Sequence, residues 1–168
     1  MTVASSGTAL LTLPADEQIL VTRDFEAPRH LVYRAFTEPE LVQRWWYAKR
    51  GEMTDCQIDL RVGGKWRYAM VTTDGMEVAF HGDYREIVPN ERLVTTEIFE
   101  GLPPGVSEED AATLNTATFV DAGEGRTTVT LLIEAPSKLA RDAIVESGME
   151  AGLQDALDLL EETAISLA

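Results

Sequence analysis

The chain predicts an α+β protein in which a curved antiparallel sheet of about six to seven strands wraps around one long C-terminal helix, with two short helices after the first strand. Three observations carry this. Apolar residues recur with period two through most of 54–134. They recur at helical spacing only after Pro28 and again beyond Ser137. A sheet that is apolar on one face must be covered, and only the terminal helix is long enough to do it.

Residues 1–17 read as an N-terminal extension, a loose or weakly paired leader ending in a turn at Pro14. The domain proper is expected over 18–168. Gln18 to Glu26 is a strand candidate, broken by Ala27-Pro28. Pro28 suits the first turn of a helix, where a missing N–H costs nothing. Leu31, Val32, Ala35 and Phe36 then fall on one helical face. Thr37 is a candidate cap for a second short helix with Pro39 in its first turn, running through Leu41, Val42, Trp45 and Trp46.

From Thr54 the period changes. Cys56, Ile58 and Leu60 alternate with Asp55, Gln57 and Asp59, and Gly63-Gly64 makes a turn. Trp66, Tyr68 and Met70 then oppose Lys65 and Arg67, and Asp74-Gly75 closes the next hairpin. Val78, Phe80, Gly82 and Tyr84 share a face, opposed by His81, Asp83 and Arg85. After Pro89-Asn90 the two faces of Arg92–Phe99 are alike in polarity, so its orientation stays open. Gly101 to Asp110 is the most loop-like stretch, a lid or a plain surface loop. Leu114–Val120 and Arg126–Glu134 form a last hairpin. Ser137 then caps the long helix, whose apolar stripe is Met149, Leu153, Ala156, Leu157, Leu160 and Ala164.

Charge and composition exclude several function classes. The 168 residues carry a formal charge of −15. The excess is concentrated late, with fourteen acids and eleven bases in 1–96 against fifteen and three in 97–168. Such a chain lacks the clustered cations that phosphate-backbone binding and adhesion to anionic membranes require, so neither nucleic acid nor a membrane is an expected partner. An acidic terminal helix is a solvated face or a docking surface for a basic protein partner. One cysteine, Cys56, excludes an intrachain disulfide and a thiolate metal cluster. No apolar run approaches the ~18 residues of a membrane span and no basic segment precedes the early apolar patch, so the expected compartment is the cytoplasm.

Enzyme signatures are weak. His30 and His81 lack zinc-ligand spacing, no serine lies in a nucleophile elbow, and no cofactor or metal is expected. Gly63-Gly64-Lys65 departs from a phosphate loop, since Asp59 stands where its first glycine belongs and a strand follows. Glu86 shares parity with Tyr84, so it is the one catalytic candidate: buried, it would titrate high and act as an acid; at a strand-end bulge, it would be a rim carboxylate. What stands out instead is bulk on one sheet face. Trp66, Tyr68, Met70, Phe80 and Tyr84 form one candidate pocket wall, Met149, Leu153 and Leu157 the opposite one, and Trp46 the mouth. Gly148 and Gly152, spaced i and i+4 on one helical face, flank Met149, each costing a helix roughly 0.8–1 kcal/mol. The space they leave either admits the sheet backbone closely or opens a cavity.

Four blocks carry a resemblance: VTRDFEAPRHLVYRAFTEPELVQRWW, RVGGKWRYAMVTTDG, HGDYREIVPNERLVTTE and ESGMEAGLQDALDLLEE. In order and spacing they resemble the family of activator of heat-shock protein 90 ATPase homologues, in the START-like or SRPBCC superfamily, over roughly residues 18 to 165. The resemblance implies the helix-grip fold with a hydrophobic cavity between sheet and terminal helix. Superfamily members bind lipids, sterols, hormones or polyketides, and some cyclise polyketides. The eukaryotic activators add an N-terminal domain that stimulates the chaperone, and no counterpart is read in these residues. The expectation is therefore a noncatalytic binding protein for a small hydrophobic molecule. The alternatives are a cyclase- or hydrolase-type enzyme using the same cavity, or a module that docks a chaperone or other protein. The oligomeric state is not legible.

Overall fold

Alternation does in the structure what it predicts: each strand with one apolar face joins a single sheet curved around the last helix. The structure is a computed structural model that describes residues 2–3, 9–47, 49–102 and 104–168. In chain order it contains β1 (Thr2–Val3), β2 (Leu10–Thr12), β3 (Gln18–Phe25), α1 (Arg29–Thr37), α2 (Pro39–Trp45), β4 (Gly51–Ile58) and β5 (Lys65–Thr72). Then come β6 (Glu77–Val88), β7 (Arg92–Phe99), α3 (Glu108–Ala111), β8 (Thr113–Gly123), β9 (Arg126–Glu134), α4 (Lys138–Glu146) and α5 (Met149–Ser166). The strands order as β1-β2-β3-β9-β8-β7-β6-β5-β4, each pair antiparallel. The helix-grip expectation is met.

Nine strands replace the expected six to seven because the leader contributes two. Leu11 pairs with Val21 and is fully buried, and Ala9 and Leu13 are buried beside it. Gln154 of α5 reaches across to hold Ala9, accepting its N–H at 3.1 Å and donating to its carbonyl at 2.8 Å. The leader is thus tied to both layers.

The terminal helix is two helices. Ser147 ends α4 and Gly148, at φ 84°, starts α5 at an angle the left-handed backbone permits. Gly148 and Gly152 therefore do not share one helical face. Thr37 does not cap α2 either. Its hydroxyl donates to Tyr33 O inside α1, and Glu38 occupies the cap position. Leu157, Leu160 and Ala164 of α5 are buried with Ile19, Val21 and Phe25 of β3 in one core, each buried leucine contributing about 1.5–3 kcal/mol. Arg23, which shares its face with Val21 and Phe25, is only 5% exposed. It meets Asp158 at 3.0 Å and Glu161 at 3.3 Å, lies 4.9 Å over the Phe25 ring, and so clamps α5 to the sheet.

Much of the acidic charge is answered within the chain. Arg50 pairs Asp155 at 2.9 Å, and Asp142 holds both Lys138 and Arg141. The C-terminal helices are less free to dock a basic partner than composition alone suggests.

Candidate functional site

The register of β4, β5 and β6 builds the aromatic wall. Cys56, Tyr68 and Phe80 lie abreast, as do Ile58, Trp66 and Gly82, and Met53, Met70 and Val78. Trp66 crosses over Gly82 and donates its indole N–H to Thr96 O at 3.1 Å. Gly82 makes that reach possible, since an added Cβ there would collide with Thr96 O and lie 2.8 Å from Trp66 Nε1. Trp66 and Tyr68 rings stand 4.8 Å apart, and Trp46 closes over Tyr68 at 5.3 Å and Phe80 at 6.0 Å. Tyr84 and Met70 are buried on the same face.

Across from this wall, Leu157 is buried while Met149 and Leu153 are half-buried against the same core. Trp46, Tyr68, Met70, Phe80, Met149, Leu153 and Leu157 share one hydrophobic cluster, Trp66 adjoins it through the Tyr68 ring, and Tyr84 is buried but not part of it. The space beside the α5 glycine is occupied by neither sheet backbone nor a void. The Tyr47 ring lies there, and a Cβ on Gly152 would come within 2.7 Å of Tyr47 Cε1. Tyr47 also packs on Trp46 at 5.1 Å and holds a left-handed φ of 46°, a strained value for an aromatic residue. Trp46 and Tyr47 together fill the junction between α2 and β4. Two surface concavities lie elsewhere, one of about 300 Å³ beside Arg29 and Asp121 and one of about 560 Å³ where the outer-face His81 meets the exposed end of β7 at Phe99.

Glu86 does not turn inward. The register slips by one residue between Tyr84 and Glu86, which pair with Thr95 and Val94, so Arg85 is the extra residue of a bulge. The slip turns Glu86 to the outer face, where its side chain is 47% exposed and meets Arg92 at 3.2 Å. The desolvated acid is Glu97 instead.

The bulge also settles β7: Leu93, Thr95, Glu97 and Phe99 face the grip. Glu97 lies opposite Thr113 and Thr95 opposite Asn115, making a polar block on the concave face at the end of the β7–β8 ladder. Burial pushes the Glu97 carboxyl up, partly offset by its hydrogen bond with Asn115. Burial, followed by the charge of Glu97, pushes the Tyr47 phenol up to about 12, against the opposing pull of Arg50. Tyr68 is raised too, mainly by burial. Thr113 Oγ1 and Asn115 Oδ1 are buried with no hydrogen-bond partner, and Thr113 is only 7% exposed.

Sequence reasoning missed this block. A glycine inside a strand is one signal that would have pointed to it, because the missing side chain of Gly82 marks a close approach beside Glu97.

The remaining candidates are structural. Burial pushes the Cys56 thiol up to about 11, helped by Asp55, and its Sγ faces Pro39 O at 3.8 Å, an inert setting. His81 lies on the outer face between Glu100 at 3.0 Å and Glu108 at 3.4 Å, and His30 is exposed. No described group of three or more His, Cys, Asp or Glu is placed to hold a metal ion. No helix among the described residues is long and apolar enough to cross a membrane.

Comparison with solved structures returns the same architecture. A protein from Rhodobacter sphaeroides superposes with a TM-score of 0.83 at 22% identity, covering 94% of this chain and 99% of its own. One from Nitrosomonas europaea gives 0.78 at 24% identity, covering 94% and 99%. One from Chromobacterium violaceum gives 0.75 at 26% identity, covering 89% and 98%. No curated protein matches. The family model described as activator of Hsp90 ATPase homolog 1-like protein matches residues 26–164, from the end of β3 to the buried Ala164 of α5. That span contains Trp46 and Tyr47, the aromatic wall and the polar block, and on it the chain belongs to the activator of Hsp90 ATPase homolog 1-like family.

Proposed function

We propose that this protein is a noncatalytic, cytoplasmic binding protein that holds a small hydrophobic molecule between the sheet and the C-terminal helix. The observation that carries the reading is the pair of buried, partnerless oxygens, the Thr113 hydroxyl and Asn115 Oδ1, set beside an aromatic wall. Leaving such a group unsatisfied costs about 1–3 kcal/mol, and a face that serves only as core avoids it with apolar side chains. A guest with a polar end would satisfy these atoms while its apolar body lies against Tyr68 and Phe80.

Entry requires the Trp46–Tyr47 plug to move, and the strained backbone at Tyr47 favours that segment as the moving part. A noncatalytic role is preferred because Glu86, the carboxyl that would have served as acid, stands exposed against Arg92.

The test is uptake of the neutral fluorescent probe N-phenyl-1-naphthylamine, with native mass spectrometry of freshly purified protein for a co-purified small molecule. Saturable probe binding is expected. Gly152→Leu should weaken it by driving Tyr47 toward the sheet while unfolding stays cooperative. Absence of probe binding, or unchanged affinity in the folded variant, refutes the reading.

A further inference from the structure

We propose that the guest carries a non-anionic head that donates hydrogen bonds, a hydroxyl or a protonated amine, and that Glu97, Asn115 and Thr113 receive it. This rests on the binding reading above and adds the chemistry of the guest. The argument begins with the balance of donors and acceptors. Glu97 offers carboxyl oxygens, Asn115 leaves Oδ1 without a partner, and Thr113 adds a hydroxyl that accepts as well as donates, so the block has more acceptor than donor capacity. Asn115 also hydrogen-bonds Glu97, which commits part of its amide.

Among the described residues no cation beside the block balances it from within the grip. Arg23, on the inner face of β3, faces Asp158 at 3.0 Å and Glu161 at 3.3 Å. Although its Nε and Nη1 make no hydrogen bond, it lies opposite Val129, four residues along β9 from the Ile133 that adjoins Asn115. Arg50 is held by Asp155 at 2.9 Å. A carboxylate head would therefore bring its charge against the Glu97 carboxyl and the Asn115 Oδ1 lone pairs, with no guanidinium among the described residues beside the block to offset it.

The geometry also fits a compact head. Glu97 and Thr113 face each other across adjacent strands, as do Thr95 and Asn115. Paired residues of antiparallel strands have Cα atoms about 4.5–5.5 Å apart, so one hydroxyl or ammonium spans the block. The flanks are apolar. Phe80 and the partly exposed Phe99 meet with tilted rings at 5.3 Å on one side, and Asn115 pairs with Ile133, itself paired with Ile19, on the other.

The test displaces N-phenyl-1-naphthylamine with decanol, decylamine and decanoate, which share one alkyl chain and differ in the head. Decanol and decylamine should displace the probe about tenfold better than decanoate, the factor expected for hydrogen bonds to a buried acceptor. In Glu97→Gln, close to isosteric, decanoate should recover to near parity. Thr113→Val should weaken decanol about threefold and leave decanoate unchanged. Decanoate that matches or exceeds the others in the wild-type protein, or a preference that survives in folded Glu97→Gln, overturns the inference. So does a Thr113→Val variant in which the three heads keep their wild-type ranking and affinities. If the probe enters and all three displace it equally, this inference alone fails. If the probe does not enter, the binding reading fails and takes this one with it.

Discussion

Gly152→Ala sets two well-measured effects against each other. At the end of the first turn of an 18-residue helix, replacing glycine by alanine gains up to about 1 kcal/mol of helix propensity. The new Cβ would lie 2.7 Å from Tyr47 Cε1 and 3.3 Å from Cδ1. Carbon atoms rest at about 3.5–4.0 Å, so the ring must retreat by about 1 Å. Its far side is backed by Trp46 at 5.1 Å between centroids. Overpacking of this kind costs about 1–3 kcal/mol, so the net expectation is a loss of about 0–3 kcal/mol. The decisive comparison is the same substitution in a Tyr47→Gly background, where the ring is gone and the left-handed φ is relaxed. There Gly152→Ala should stabilise by up to about 1 kcal/mol, which makes the coupling between the two positions about 1–3 kcal/mol. Urea unfolding followed by far-UV circular dichroism measures all four corners. Equal stabilisation in both backgrounds would refute the assignment of Tyr47 to that space.

Gly82→Ala should cost about 1–3 kcal/mol or prevent folding, because the methyl would meet Thr96 O and the Trp66 indole; a folded variant with unchanged thermal midpoint contradicts the placement of Trp66 over Gly82. Arg23→Ala should cost about 2–3 kcal/mol in urea unfolding, below the range for a fully buried pair because Asp158 is half exposed; a neutral result would show that α5 is held without the clamp. Glu97 gives a pH dependence of definite sign. Its carboxyl is raised in the folded protein, so the native state holds that proton more tightly than the unfolded chain. The group then favours folding least once pH has risen from the ordinary glutamate range through its folded value. Glu97→Gln should therefore raise stability at neutral pH and flatten that limb of the pH profile, and an unchanged profile would show the carboxyl to be solvated.

What was legible in the sequence was what one buried face enforces. In β5 and β6 a slip of one residue would expose Trp66, Tyr68 and Phe80 together, so alternation specifies register and facing there. In β7 it does not. Val94, on the outer face, is nearly as buried as Leu93 on the inner one, and Glu97 replaces an apolar residue in the inward set. The bulge at Arg85 has no signature in periodicity, since one inserted residue simply exchanges faces, and Glu86 went with it. The break at Gly148 was visible only as a glycine, which a continuous helix tolerates at a cost. The capture of Ala9 by Gln154 spans 145 positions and leaves no local trace.

Trp46 is read both as a wall of the grip and as its plug, and kinetics separates the two roles. Its ring touches Tyr47 at 5.1 Å, Tyr68 at 5.3 Å and Phe80 at 6.0 Å. At about 0.5–1.5 kcal/mol for each aromatic pair, swinging it out costs about 2–4 kcal/mol, before the area it exposes is considered. The open form is then on the order of one molecule in thirty to one in a thousand, and a guest that enters only that form binds more weakly by the same factor. Trp46→Ala removes the barrier together with part of the wall. As a plug, the residue should hold back association, so the variant's on-rate for N-phenyl-1-naphthylamine in stopped-flow fluorescence should rise by about tenfold or more, whatever happens to the off-rate. As a wall alone, its loss should leave the on-rate unchanged and speed dissociation. That second pattern would mean that the grip opens elsewhere, and the strained backbone at Tyr47 would then need another explanation.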